Sequence, residues 1–305
     1  MLPSGSKIDV SIGENAWASI KCGKSQMRIP GMAADAFPEF PDDTEFAPVA
    51  TANLKALARS LGRVMHAVIP DKAGTSTSSV GVAKLDIGLD KTVIVATDGH
   101  RLPLVEADIK GTVASVLLVP SKAAAEFIRL SGTAALDTKV TIAIAENTIM
   151  FSVAGGWTLY AKMQSAVFPD YRSVVGGFKT GDGSATVSAK GLKDCVSRVR
   201  GFATGETRTI TFTIGDGVLK VYAASADSGE ATEEIECECS GSITAIFNAG
   251  YIMDFIASCS ESESIRIEFG VIPSRKGSSG SAFRFMPAEK RDGESYSEII
   301  MPIHA

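Results

Sequence analysis

At 305 residues, the chain is too long for one ordinary hydrophobic core, and its length predicts two or three domains. Hydrophobic residues make up 45% of the chain and charged residues 21%, which is typical of a globular protein. A net charge of −5 excludes a strong overall attraction for nucleic acid, so any DNA contact needs a local basic surface. No apolar stretch reaches the roughly 18 residues of a helical membrane span, so no membrane partner is expected.

Cysteine and histidine usage argues against a disulfide framework and against a metal centre. The five cysteines are scattered and form no Cys-x-x-Cys pair, which favours reduced thiols in a cytoplasmic protein. The three histidines lack ligand spacing, so neither a zinc site nor another cofactor is expected. The first residues also lack the basic-then-apolar pattern of a secretory signal.

Apolar periodicity predicts a mixture of strands and amphipathic helices along the chain. In order, we predict strands within 1–41, a helix at 51–68, strands at about 80–87, 91–97, 101–107 and 115–119, a short helix from Pro120 to Leu130, strands at about 138–143, 147–153 and 157–164, a glycine-rich connection at 176–184, a helix around 192–202, strands at about 208–215, 218–225 and 231–238, a short helix at 249–258, and strands at about 264–269, 281–286 and 296–302.

The order of predicted elements repeats. Leu54-Lys55-Ala56-Leu57 aligns with Leu192-Lys193-Asp194-Cys195, and Phe37-Pro38-Glu39-Phe40 aligns with Phe168-Pro169-Asp170-Tyr171. Each full unit contains a helix, strands, a short helix and further strands. We therefore predict a remnant of a first domain, its C-terminal part, at 1–44, a complete domain at 45–175 and another complete domain at 184–305.

Residues 93–102 carry an Asp-Gly pair between two apolar runs, which predicts a hairpin because glycine tolerates a positive φ. The turn would present Thr97, His100 and Arg101 at one rim of a sheet. An ordinary solvated turn is the alternative. A hydrolase with His100 as general base beside Asp98 is a remote alternative, because adjacent strand positions face opposite ways and no nucleophile motif accompanies them.

Three motifs together resemble one family. Ala96-Thr97-Asp98-Gly99-His100-Arg101-Leu102, Phe168-Pro169-Asp170-Tyr171-Arg172 and Ile300-Met301-Pro302-Ile303 resemble, in order, three hallmarks of the bacterial DNA polymerase III beta subunits, the sliding clamps. The resemblance implies an α+β fold of repeated DNA-clamp domains, each with outer antiparallel β-sheets and two inner α-helices. It also implies a non-catalytic accessory subunit of the DNA polymerase III holoenzyme, a ring-forming processivity factor that encircles double-stranded DNA.

Basic residues recur on the predicted helices of both complete domains. Contacts to DNA phosphates carry no sequence register, so a protein that relies on them can slide. The alternative is an ordinary solvated helix face, and the acidic run Glu230, Glu233, Glu234, Glu236 and Glu238 is expected to face outward. The residues predicted to face DNA are Lys55, Arg59, Arg63, Lys122, Arg129, Lys193, Arg198 and Arg200.

The resemblance further implies a peptide cleft between the second and third domains. This cleft would dock short motifs of the replicative polymerase subunit, the clamp loader and other clamp-motif proteins. Apolar walls would give affinity for the peptide, and the polar hairpin would fix its orientation. Without the family resemblance, the C-terminal residues indicate only an ordinary final strand. Carried over by position, the cleft takes Thr97, Gly99, His100, Arg101, Leu102, Pro169, Val174, Ile299, Met301, Pro302 and Ile303.

The chain departs from the family's pattern in two places. Ser79 stands where a large apolar residue is usual, and His304-Ala305 where an arginine and an aliphatic residue are common, so both bear on affinity for partner motifs.

Met27 and Ile29 match the family's interface strand and Phe202 matches the opposing contact, which predicts a homodimer if the first domain is complete. The alternative is a clamp-like peptide-binding adaptor that cannot close a ring.

Overall fold

The computed structural model describes residues 5–13, 16–37, 39–69, 81–205, 208–273, 279–290 and 293–303. The chain forms two compact units, Met1–Glu45 and Phe46–Ala305. Among the described ranges, none of the helices combines the length and the apolar character needed to cross a membrane.

The first unit is built on a three-stranded antiparallel meander of β1 (Asp9–Ile12), β2 (Ala18–Cys22) and β3 (Ser25–Ile29). Val10 pairs with Ile20, which in turn pairs with Met27, so these three side chains share one face of the sheet. Val10 and Met27 remain 62% and 43% exposed, because a sheet of this size cannot enclose a core of its own. The strands predicted in 1–41 are present.

The second unit begins with a set of strands and two helices. Its elements are β4 (Ala47–Asn53), α1 (Leu54–Gly62), a 3-10 turn (Met65–Ala67), β5 (Val82–Ile87), β6 (Thr92–Val95), β7 (Arg101–Ala107), β8 (Ser115–Pro120), α2 (Ser121–Ser131), β9 (Lys139–Ala145), β10 (Thr148–Ser152) and β11 (Thr158–Lys162). Asn53 is the last residue of β4 and the N-cap of α1, because its side chain accepts a hydrogen bond from the Ala56 N–H at 2.9 Å.

A further set of elements follows. It comprises α3 (Tyr171–Gly177), β12 (Lys179–Ser188), α4 (Ala189–Val199), a 3-10 turn (Arg200–Phe202), β13 (Thr209–Gly215), β14 (Val218–Ser225), β15 (Gly229–Glu236), β16 (Glu238–Ser240), β17 (Ile243–Asn248), α5 (Ala249–Ala257), β18 (Ser264–Pro273), β19 (Ser279–Pro287) and β20 (Glu294–Ile300). Ser188 and Asn248 cap α4 and α5 by accepting hydrogen bonds from the backbone N–H groups of Gly191 and Gly250.

The two sets share one topology, and we call 47–162 the first repeat and 179–300 the second repeat. The strand order β4-β9-β10-β11 of the first repeat matches β12-β18-β19-β20 of the second. Likewise β8-β5-β6-β7 matches β17-β13-β14-β15. In each repeat the two long helices pack on each other. The predicted α+β fold of repeated domains with antiparallel sheets and two helices each is confirmed.

The final strand joins the repeats. β20 pairs antiparallel with β7, with Ile299 opposite Leu102, so one nine-stranded sheet runs through both repeats in the order β16-β12-β18-β19-β20-β7-β6-β5-β8. Just beyond β20, the Met301 N–H donates a hydrogen bond to the His100 carbonyl at 3.0 Å. The hairpin and the end of the described chain therefore meet.

Aromatic pairs fill the space between helices and sheets in both repeats. Phe127 lies 4.8 Å from Phe151 in the first repeat, and Phe247 lies 4.9 Å from Phe283 in the second, measured between ring centroids. All four are essentially fully buried and belong to one apolar cluster that extends through both repeats. Burial of each ring contributes on the order of 2 kcal/mol.

Two predicted segments are wrong. The helix expected at 51–68 is shorter, because 51–53 pair within β4 and α1 ends at Gly62, after which a 3-10 turn continues its apolar face. The connection expected at 176–184 is instead the end of α3 and the start of β12. At Gly183 a Cβ atom would lie 2.5 Å from the Phe269 ring, so this glycine allows a close approach within the sheet.

Candidate functional site

The loop between β6 and β7 is closed by its own side chains. The Thr97 hydroxyl donates to the Arg101 carbonyl at 2.8 Å, and Asp98 Oδ1 accepts the backbone N–H groups of His100 and Arg101 at 3.0 Å each. Gly99 has a φ of +91°, a region that favours glycine. The predicted hairpin is present, but its loop is longer than a two-residue turn. Thr97 is buried, whereas Gly99 and His100 are exposed.

Arg101 leaves this loop and ties the two repeats together. Its Nε lies 2.9 Å from Asp98 Oδ2, its Nη1 lies 2.7 Å from Asp254 Oδ2, and its Nη2 donates to the His66 carbonyl at 2.5 Å. The guanidinium also stacks on the Tyr251 ring, with Cζ 4.2 Å from the centroid. Burial by itself lowers the pKa of Arg101, but the bond to Asp254 and the nearby carboxylates produce a net rise.

Apolar residues of the predicted cleft meet on both sides of α3. One cluster contains Leu102 and Tyr171, and another contains Phe178 and Ile299 with Met301 packed against them. Val174 packs against both clusters, so the structure brings Leu102, Val174, Ile299 and Met301 into one neighbourhood. Among the remaining predicted cleft residues, Pro169 is exposed, and Pro302 and Ile303 are half-buried. Ser79 and His304-Ala305 lie outside the described residues.

The Phe-Pro-Asp-Tyr-Arg motif builds and anchors α3. Asp170 caps the helix by accepting the Ser173 N–H at 3.2 Å, and the hydroxyl and backbone of Ser173 lower the pKa of this carboxyl. The Tyr171 hydroxyl donates to Asp86 at 2.6 Å, and burial, followed by this bond, raises the pKa of Tyr171. Arg172 lies 2.6 Å from the same carboxylate. The motif therefore fixes where Val174 sits.

Arg63 does not lie on an exposed basic stripe, and that prediction is wrong. Its side chain is 5% exposed and forms an ion pair with Glu294 at the start of β20. Its Cζ lies 5.0 Å from the centre of the Tyr296 ring. The reason is that Glu294 of β20 lies against this end of α1, where it also contacts Arg59 one helical turn earlier, and the second repeat covers Arg63.

Most of the other predicted DNA-facing cations are paired with carboxylates. Arg59 Nε lies 3.3 Å from Glu294, and Lys193 Nζ lies 2.6 Å from Glu261. Arg198 binds Glu233 through two nitrogens at 2.8 and 2.9 Å, so Glu233 does not face away from the helix as predicted. Arg129 pairs with Glu126 at 2.6 Å on the same helix. Within the described ranges, Lys55, Lys122 and Arg200 form no ion pair.

Two regions of the chain match family profiles of one protein. Residues 53–170 match the central domain of the DNA polymerase III beta subunit, and residues 179–276 match its C-terminal domain. The chain belongs to the DNA polymerase III beta subunit family.

Curated relatives of this beta-subunit chain carry the name beta sliding clamp. The protein of Pseudomonas putida is 27% identical over 260 residues, which cover 84% of this chain and 68% of the relative. The protein of Caulobacter vibrioides is 26% identical over 258 residues, which cover 83% of this chain and 68% of that protein.

Solved sliding clamps share the fold. A Pseudomonas aeruginosa clamp, crystallised with griselimycin, is 24% identical with a TM-score of 0.80, covering all of this chain and 78% of that one. A second P. aeruginosa structure is 23% identical with a TM-score of 0.81, covering 99% of this chain and 78% of that one.

The predicted interface residues of this beta-subunit chain lie in different units. Met27 and Ile29 are on β3 of the first unit, with exposed fractions of 43% and 50%. Phe202 lies in the 3-10 turn after α4, where it packs half-buried against the core of the second unit.

Asp98 and His100 of the hairpin are not joined as the hydrogen-bonded pair that a His–Asp hydrolase uses. Both oxygens of Asp98 are committed to Arg101 and to backbone N–H groups. In the described part of the chain, no hydrogen bond joins the His100 ring to this carboxylate. The described residues contain no group of three or more His, Cys, Asp or Glu side chains that could hold a metal ion.

Proposed function

We propose that the chain acts as a DNA polymerase processivity factor, a non-catalytic clamp of the DNA polymerase III holoenzyme that holds the polymerase on double-stranded DNA in the cytoplasm. The observation that carries the proposal is the pairing of β20 with β7. In the second repeat, β20 ends the strand set β12-β18-β19-β20, whereas in the first repeat β7 ends the different set β8-β5-β6-β7. The contact therefore joins two different edges and is head-to-tail. Contacts of this kind generate rings when the rotation between units closes.

The free edges of the sheets support the same arrangement. β15 occupies in the second repeat the position that β7 has in the first, and β15 is an edge strand within the described residues. The meander of the first unit ends in β3, the counterpart of β20 by element order. We infer that β3 of one subunit adds to β15 of a second, with Met27, Ile29 and Phe202 at the interface of a homodimer.

DNA would be held through phosphates by the helices of both repeats. Lys55, Lys122 and Arg200 are available for this contact, whereas Lys193, Arg198 and Arg129 must exchange a carboxylate for a phosphate. Such an exchange weakens each contact, which suits a protein that must slide. We propose two complete domains, one at 45–175 and one that begins with β12 at Lys179, because the predicted start at 184 lies inside that strand.

The apolar neighbourhood of Leu102, Val174, Ile299 and Met301 would take a short linear motif from the replicative polymerase, the clamp loader or another clamp-binding protein. Leu102 and Ile299 are already buried, but Val174 and Met301 are half-buried and can be covered further by a ligand, which gains affinity roughly in proportion to the apolar area removed from water. The exposed His100 would help to orient the peptide. The Arg101 guanidinium is bonded to Asp98, Asp254 and the His66 carbonyl, so Arg101 would hold the hairpin in place and not contact the peptide itself.

The test is retention on circular DNA. The chain, loaded onto nicked circular duplex by a clamp loader in the presence of ATP and then passed over a sizing column, should remain with the DNA. Cutting the circle should release it, because a closed ring slides off an end. Equal loss from circular and linear DNA, with a monomer at micromolar concentration in mass photometry, would overturn ring closure and favour a peptide-binding adaptor.

A further inference from the structure

The helix that forms one wall of the proposed peptide cleft is too short to be stable by itself. α3 has seven residues, of which the last two are glycines. Helices of this length are unstable in water without tertiary packing. Within α3, all of which the structure describes, Tyr171 is the one buried residue. The position of Val174, which this helix contributes to the cleft, therefore depends on how the ends of the helix are attached.

The two ends of α3 are attached to different repeats. At the N-terminal end, the Tyr171 hydroxyl donates to Asp86 Oδ2 of β5 at 2.6 Å, and Arg172 Nη2 lies 2.6 Å from the same oxygen. Just past the C-terminal end, Phe178 is buried in a cluster with Ile299 of the second repeat. Asp86 is thus the polar anchor of α3 on the first repeat.

A cavity beside α3 leaves one side of the helix poorly supported. It has a volume of about 440 Å³ and lies between the helix and the turn that joins β5 to β6. Tyr171, Arg172 and Val175 line it from the helix, and Leu89 and Lys91 line it from the turn. A void supplies no packing contacts to the atoms around it. If the polar contact at its N-terminal end were lost, the helix would have room to shift toward the turn.

We propose that Asp86 is a positioning residue for the peptide cleft, which holds α3 where Val174 can complete the cleft wall without itself touching the peptide. This inference rests on the proposed peptide-binding function. The Asp86 side chain is 10% exposed, and one of its oxygens already accepts from Tyr171 and Arg172. The apparent affinity of a ligand falls in proportion to the fraction of molecules in the binding-competent state. Loss of the Asp86 contact therefore weakens the peptide by lowering the fraction of chains in which α3 is docked.

The experiment combines two measurements on the full chain. Fluorescence anisotropy gives the affinity for a labelled hexapeptide with leucine and phenylalanine side chains, and hydrogen exchange without peptide gives the protection of the α3 amides. Asp86→Ala should weaken the peptide by about tenfold and bring these amides close to the exchange rates of an unstructured chain. Asp86→Asn keeps an acceptor oxygen for the Tyr171 hydroxyl and should retain most of both properties.

Tyr171→Phe removes only the hydroxyl, so it keeps the test available if Asp86→Ala fails to fold. This variant should weaken the peptide a fewfold and loosen α3 in the same direction. The matched control is Glu106→Ala, because Glu106 lines the same cavity but pairs with Lys91 at 2.8 Å. The control should leave the peptide affinity and the α3 exchange unchanged.

Two outcomes would overturn the positioning role of Asp86. One is a peptide affinity that is equal in Asp86→Ala, Tyr171→Phe and the unmodified chain, even if the unfolding midpoint falls, because a merely structural residue would behave in this way. The other is a weaker peptide with unchanged α3 exchange, which would make Asp86 a direct contact. Failure of the unmodified chain to bind the peptide would instead overturn the proposed cleft, and this role with it.

Discussion

Replacing Arg101 by methionine should destabilise the second unit more than any surface substitution of an arginine. The change keeps most of the side-chain length but removes the guanidinium that holds Asp98, Asp254 and the His66 carbonyl. The partners come from the hairpin, from α5 and from the turn after α1, so the variant loses contacts between repeats as well as within the loop.

The magnitude follows from which partners stay buried. Asp98 has a side-chain exposure of 9% and cannot be rehydrated easily, so its unpaired charge sets most of the cost. Asp254 is 44% exposed and returns largely to water, which makes its share small. Breaking a buried pair costs about 3 to 5 kcal/mol, and we expect about 3 kcal/mol here. For a unit of this size, that lowers the unfolding midpoint by roughly 6 to 12 °C.

Urea and thermal unfolding of Arg101→Met provide the measurement. The control is Arg129→Met, which removes an ion pair with Glu126 between two side chains that are 69% and 42% exposed. This control should change the unfolding free energy by less than about 0.5 kcal/mol. The reasoning is refuted if the two variants unfold alike, or if Asp98→Asn restores nothing when combined with Arg101→Met.

Three other predictions concern DNA, peptide and pH. Glu261→Gln frees Lys193 and should strengthen binding to duplex DNA. Lys55→Ala should weaken DNA binding and reduce the slope of log affinity against log salt concentration by about 1. Weaker DNA binding by Glu261→Gln, or stronger binding by Lys55→Ala, in a salt titration would refute this. Met301→Ala should weaken an apolar clamp-binding peptide by about tenfold in fluorescence anisotropy without changing DNA affinity, and an unchanged peptide affinity would argue against the cleft. Burial, and then the charge of Glu233, raises the pKa of Cys195 from 9.0 to about 11, so the thiol stabilises the fold below pH 9 and loses this effect as the pH rises toward 11. The difference in urea stability between the unmodified chain and Cys195→Ala should therefore shrink across that window, and a constant difference would contradict it.

The sequence predicted those helices and hairpins whose defining residues lie within a few positions of one another. The Asp98-Gly99 pair predicted the β6–β7 hairpin because a positive φ was required, and the structure has it at Gly99. Helical spacing located α1 and α4, although it extended α1 too far. The helix α3 was missed, but Asp170 followed by Ser173 is a capping signal that could have indicated it.

The roles of the arginines could not be derived from local pattern, because their partners are remote in sequence. Arg63 was assigned to an exposed stripe from its spacing with Arg59, yet Glu294 lies 231 residues further along. Arg101 meets Asp254 across 153 residues. A helical period fixes which side of the helix a residue occupies, but only the tertiary arrangement decides whether a strand from elsewhere covers it.

The place of β20 has a consequence for how the molecule is made. This strand is synthesised after the other strands of both repeats, yet it lies in the interior of the nine-stranded sheet, between β19 and β7. Until it is present, β7 has an open edge, and the buried acids Glu294 and Glu298 are not yet there to pair with Arg63 and His66 of the first repeat. The nine-stranded sheet therefore cannot be completed before β20 has been synthesised, and nascent chains stalled before residue 294 would leave the edge of β7 exposed to other chains or to chaperones.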